Sequence, residues 1–223
     1  MNSLLLKDFF LLKKHLWFAL FYSFIMFFIF GFQVSNVQGM IYSIGATMIS
    51  YTMLMYTTAY DDKNNSEVLI NSLPLSRNKI VLSRYVSIFI FIVIGISSMV
   101  VAGYVLKTIE IIKVSWILRS EDILGAILGS SFISFLYLPA YYKFGYVKAK
   151  FFNLLLFAVA FGLPMIIGTY LKGIEKPPWV DQLIASLISQ SDFIIGLYII
   201  IFIIILGLIS YQLSITVYKK REF

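Results

Sequence analysis

The stretch LWFALFYSFIMFFIFGFQVSNVQGMIYSIGATMISYTMLMYTTAY, Leu16–Tyr60, contains no Asp, Glu, Lys, Arg or His. A helix of about 20 apolar residues crosses a hydrocarbon core about 30 Å thick, so this run is long enough for two crossings and has to fold back once. Its one polar patch, Gln33-Val34-Ser35-Asn36-Val37-Gln38-Gly39, is the natural turn. Spans are therefore predicted at 16–32 and 40–60. Four further charge-free stretches follow, at 85–106, 123–142, 151–171 and 193–218. They predict spans near 80–106, 123–142, 151–171 and 193–216. Backbone amides and carbonyls cannot be left unpaired against lipid, which makes each span a helix. The expected fold is an all-α membrane protein with six transmembrane helices, built as one domain over residues 1–223.

Composition supports the same solvent. The 223 residues are 60% hydrophobic and 13% charged, whereas a soluble domain carries about one-quarter charged residues. There is no cysteine and a single histidine, His15, which excludes disulfides, thiolate chemistry and clusters of Cys or His metal ligands. The net charge of +7 follows topology. Lys7, Lys13, Lys14, Lys63, Arg77, Lys79, Arg84, Lys143, Lys148, Lys150, Lys219, Lys220 and Arg221 fall on one side of the predicted spans. Only Lys107, Lys113, Arg119, Lys172 and Lys176 fall on the other. By the positive-inside rule both termini are cytoplasmic, and the basic excess needs no nucleic-acid partner.

Outside the spans, residues 1–15 place Leu4, Leu5, Phe9 and Leu12 at helical spacing with Lys7, Asp8 and Lys14 mostly elsewhere. This predicts an amphipathic elbow helix along the inner membrane interface. Pro177-Pro178 followed by Trp179, Val180, Leu183, Ile184, Leu187 and Ile188 predicts a short external amphipathic helix near 178–190.

Several function classes lack their residues. No Gly-Lys dipeptide occurs, so there is no phosphate-binding loop. No serine–histidine, paired-aspartate or zinc motif can be assembled within the spans. A carrier driven by ion gradients usually keeps an ionised group at membrane depth, and the predicted charge-free stretches have none. The chain is expected not to be an enzyme and to hold no cofactor of its own.

The longest cytoplasmic segment predicted is 61–79. Ser66 or Asn65 can cap a short helix with Glu67 in its first turn, Pro74 stops it, and Ser76 can cap a second helix leading into the third span. The short helix presents Leu69 and Leu73 at i, i+4 beside Val68 and Ile70. Such an apolar knob suits a partner's groove as well as it suits the bilayer surface.

Asp61-Asp62 before this helix, then Leu73-Pro74-Leu75-Ser76-Arg77 and Ile80-Val81-Leu82-Ser83-Arg84-Tyr85, resembles the loop between spans two and three in small permease subunits of type-2 ABC exporters. That loop carries an acidic pair, a helix, Leu-Pro-x-x-Arg and Val-x-x-Lys-Tyr; here Arg84 stands in place of the usual Lys. The elbow, six spans and external helix are similar as well, and the size is closest to exporters of phenol-soluble modulins and of antimicrobial peptides. The resemblance implies a coupling helix docking on a separate ATP-binding subunit, with Val68, Leu69, Ile70 and Leu73 in its groove and Glu67 and Arg77 in charged contacts around it. It implies two ATP-binding subunits holding ATP and Mg, and a second permease, identical or related, in the bacterial cytoplasmic membrane. The implied cargo is a hydrophobic or amphipathic peptide, toxin or antimicrobial. A substrate-capturing component of a micronutrient importer is the alternative.

Ser43, Thr47, Ser50 and Thr57 share one face of the second span and Pro164 interrupts the fifth, which makes them candidates for a translocation path. Hydroxyls on such a face equally serve as glue between membrane helices, and Gly125-Ala126-Ile127-Leu128-Gly129 reads as a helix-packing motif.

Overall fold

The computed structural model describes residues 2–13, 15–31, 40–72, 74–109, 118–157 and 190–221. Seven helices lie among them, and no strand. They are α1 Asn2–Leu12, α2 His15–Gly31, α3 Ile41–Lys63, α4 Ser66–Ser72, α5 Arg77–Thr108, α6 Ser120–Phe157 and α7 Asp192–Lys219. By length and composition α5, α6 through Phe152, and α7 can each cross a membrane. The pair α1–α2, bent by 54°, would count as one more span. The hydroxyl-rich α3 does not reach the same hydropathy. Of the predicted features, the turn at 33–39, the 151–171 span beyond residue 157, and the 178–190 helix lie outside the described residues.

Local chemistry explains where the helices start and stop. Between α3 and α4 the chain turns in two residues, Asn64 and Asn65. Asn65 takes a left-handed φ of 47°, a conformation that asparagine tolerates better than most side chains. Pro74 lies between α4 and α5. Ser76 is the N-cap residue of α5 with extended backbone, but its carbonyl does the capping, accepting from the amides of Lys79 at 2.9 Å and Ile80 at 3.3 Å. The basic stretch around Lys143 to Lys150, which lies between two predicted spans, is helical on both sides of Gly145, where φ is 77°. One glycine able to adopt that conformation replaces the loop.

Small residues let the helices approach closely. A Cβ added at Gly125 would sit 2.8 Å from Ser43 Oγ, and one at Gly129 would sit 2.8 Å from Thr47 Oγ1. The GxxxG motif thus seats α6 on α3. On the other flank of α3, Gly95 of α5 meets Ser50 Oγ and the Ala46 carbonyl. Core aromatics fill in around these contacts, with Tyr137, Phe27 and Phe91 almost fully enclosed.

A proline organises the junction with α7. Pro139 lies inside α6 and has no N–H to offer the carbonyl four residues back, that of Phe135. Ser210 of α7 donates its hydroxyl to that carbonyl. Tyr85 of α5 then lies 2.6 Å from the Ser210 hydroxyl and 2.8 Å from that of Ser214. Three helices are thereby joined by groups that would otherwise be stranded in an apolar setting.

Gly95→Val should destabilise the protein by about 1–3 kcal/mol through overpacking against the Ala46 carbonyl, which cannot give way as a side-chain end can. Gly196→Ala, whose new Cβ would meet, among the described residues, Leu124 Cδ1 alone at 3.4 Å, should leave the thermal transition in detergent almost unchanged. Equal transitions for both variants would contradict this account of the α3–α5 contact.

Candidate functional site

The short helix α4 has two distinct faces. Val68 and Leu69 point outward, 50% and 69% exposed. Ile70 packs against the core, and Glu67 and Asn71 turn toward the end of α7. Arg221 Nη1 lies 2.9 Å from Glu67 Oε2. Asn71 Nδ2 donates to the Tyr218 hydroxyl at 2.8 Å and to the Glu67 carbonyl at 2.7 Å.

Arg77, at the start of α5, completes this contact. Its Nη1 donates to the carbonyls of Tyr218, Lys219 and Arg221 at 3.2, 2.8 and 3.2 Å. The last carbonyls of a helix have no intrahelical donor and carry the negative end of its dipole, so a guanidinium is well suited to them. Burial pushes the Glu67 carboxyl above the usual glutamate range, opposed by Arg221 and by a hydrogen bond from Tyr141. A carboxyl raised in the fold contributes most below its unfolded pKa and loses that contribution as pH rises through its folded value. The Glu67–Arg221 pair therefore fixes geometry more than it adds stability.

Beneath α4 lies a buried ionic cluster. Arg84, two turns into α5, holds Asp8 of α1 at 3.0 Å through Nη1 and pairs with Asp61 of α3 through Nη2. Lys7 Nζ lies 2.7 Å from Asp61 Oδ1, and Ser87 Oγ donates to Asp8 Oδ2 at 2.8 Å. Arg84, Asp8 and Asp61 are 7%, 4% and 2% exposed. Tyr141, Tyr142, Tyr218 and Glu67 line the same pocket, so the cluster and the α4–α7 contact are neighbours.

The predicted site residues divide as follows. Val68 and Leu69 form an outward apolar knob, Ile70 supports it from within, and Leu73 lies outside the described residues. Glu67 and Arg77, expected to face a partner, are engaged with the residues at the end of α7. Ser43, Thr47, Ser50 and Thr57 stand on α3, with Thr47, Ser50 and Thr57 buried. Ser43 donates to the Asp122 carbonyl, Ser50 to those of Ala46 and Phe91, and Thr57 to that of Leu54. Packing accounts for all four, so a path along that face requires α3 to part from α5 and α6. Pro164 lies outside the described residues.

Sequence reading missed the Asp8–Arg84–Asp61 cluster, because it treated each charge as belonging to its own loop. The signal was present. Each residue stands at the border of an apolar run, and the predicted topology brings all three borders to one side.

Arg84→Met should cost about 3–5 kcal/mol, because it leaves two buried carboxylates uncompensated. Arg84→Lys should recover only part of this, since one ammonium cannot fork between two carboxylates as a guanidinium does. Adding Asp8→Asn and Asp61→Asn to Arg84→Met should restore most of the loss. Thermal unfolding in detergent measures all three, and a neutral Arg84→Met would remove the cluster from any structural role.

Residues 3–219 match the family model described as ABC-2 family transporter protein. Neither a curated protein nor a solved structure matches the chain. The match covers every helix described above except the first residue of α1. The chain belongs to the ABC-2 transporter family, as a multi-pass membrane component of transporters that rely on an ATP-binding partner subunit.

Proposed function

We propose that this chain is the six-span permease subunit of an ATP-driven exporter in the bacterial cytoplasmic membrane, with both termini cytoplasmic and α4 as its coupling helix. The observation that carries the reading is an apolar knob, Val68 and Leu69, exposed on a seven-residue helix whose opposite face is fastened to α7. A helix this short has little stability of its own, so fastening it from behind leaves its outer face presented in one orientation. Two ATP-binding subunits supply ATP and Mg, and a second permease, identical or related, completes the path. The cargo is hydrophobic or amphipathic, of the class of peptides, toxins and antimicrobials, in keeping with long charge-free stretches rich in Phe and Tyr.

Burial of one leucine contributes about 1.5–3 kcal/mol, and each 1.4 kcal/mol is tenfold in affinity. Leu69→Arg should therefore lower copurification of the coexpressed ATP-binding subunit by about 10–100-fold, whereas Leu213→Ala, on the outward face of α7, should not. Undiminished copurification would overturn the docking role. The chain has no cysteine, so a single Lys63→Cys reports topology cleanly. An impermeant maleimide should label it in inside-out vesicles and not in intact cells.

A further inference from the structure

We infer that α7 is the element through which α4 acts on the membrane part of the protein, and that Arg221 is the positioning residue that fastens the two, with Arg77 at the start of α5 holding the carbonyls at that same end of α7. This rests on the docking reading above and adds to it the route by which a partner's movement enters the bundle.

The geometry is specific. Two polar side chains of α4 cross to the end of α7, Glu67 to Arg221 and Asn71 to the Tyr218 hydroxyl. Arg77 gathers three carbonyls at that same end. A push on Val68 and Leu69 is thereby delivered to Tyr218–Arg221 through side-chain hydrogen bonds and an ion pair, while the packing of Ile70 on the core and the bond of Tyr141 to Glu67 hold the inner face of α4 in place.

The receiving element is suited to carry the displacement. It is an uninterrupted helix of 28 residues, about 42 Å long at 1.5 Å per residue, and so reaches across a bilayer. Among the described residues its buried positions form one narrow stripe, Gly196, Ile203, Ser210, Ser214 and Tyr218, with outward aliphatic side chains on either side. A helix held along a narrow stripe shifts with fewer contacts broken than one enclosed on all sides. The two serines grip Tyr85 and the Phe135 carbonyl freed by Pro139. Movement of α7 therefore reaches α5 and α6 directly.

The test uses the complex of the full chain with its ATP-binding subunit, reconstituted in liposomes, with ATP turnover as the readout. Arg221→Glu places like charges at Glu67 and should lower kcat at least tenfold while the KM for ATP and the amount of copurified ATP-binding subunit stay the same. Arg221→Lys should keep most of the activity. The exchange variant Glu67→Arg/Arg221→Glu should return kcat to within about twofold of the original, a recovery that a contact of Glu67 with the partner would not give; the unchanged KM and copurification in Arg221→Glu separate the proposal from a merely structural role. Tyr218→Phe, which deletes a single hydroxyl, should lower kcat by about two- to fivefold and serves if the charge variants do not fold. Unchanged turnover in Arg221→Glu, failure of the exchange to restore turnover in a folded complex, or unchanged turnover in Tyr218→Phe would each overturn the proposal. So would loss of copurification in Arg221→Glu. Failure of the docking reading is separate, because it appears as undiminished copurification of Leu69→Arg while the charge exchange still restores turnover.

Discussion

A guanidinium shared between two buried carboxylates is the interaction on which this structure turns. Arg84 belongs to α5, Asp8 to α1 and Asp61 to α3, segments that the chain visits at widely separated times. Removing two negative charges from water is unfavourable unless each is paired and hydrogen-bonded. The fork of Arg84 pairs both acids, Lys7 adds a second bond to Asp61, and Ser87 donates to the Oδ2 of Asp8, whose Oδ1 has only the charge of Lys7 at 3.7 Å beside it. Because a single side chain pairs with both acids, α1 cannot drift from α3 without stranding a charge. The bend between α1 and α2 is fixed by this arrangement as much as by the amphipathic pattern of α1.

The same economy of partners appears where α5, α6 and α7 meet. Pro139 leaves a carbonyl without a donor, and the nearest helix supplies a serine rather than water. In an apolar solvent such a defect has few remedies, and each remedy specifies a neighbour. Two positions of polar need, one ionic and one neutral, thus define how the helices are arranged, while the glycines at 95, 125 and 129 define how near they come.

Much of the architecture was readable from residues alone. The charge-free runs, the start of the short helix at Asn65 or Ser66, the break around Pro74 and the helix starting after Ser76 all follow from local rules, because bilayer thickness and backbone hydrogen bonding leave few choices. The GxxxG in α6 was also legible as a packing surface. Contacts between distant segments were not. Glu67 and Arg77 look like solvent-facing charges in a loop, and only the tertiary structure shows Arg221 and the α7 carbonyls beside them. Gly145 was hidden for a different reason: a lone glycine among lysines looks like part of a flexible loop, not like a single-residue break in a long helix.

The length of α5 has an electrical consequence. On the proposed topology, counting about 20 residues back from Lys107 puts the inner edge of the hydrocarbon near Ser87, which leaves Arg84 and its acids at headgroup level, outside most of the field that a membrane potential imposes. No ionised side chain interrupts the apolar runs at 85–106, 123–142, 151–171 or 193–218. Rearranging these segments consequently moves almost no charge of this chain through the voltage drop, where each elementary charge would cost about 2.3 kcal/mol per 100 mV. On the proposed topology, a rearrangement of these segments is in that sense electrically silent as far as the charges of this chain are concerned.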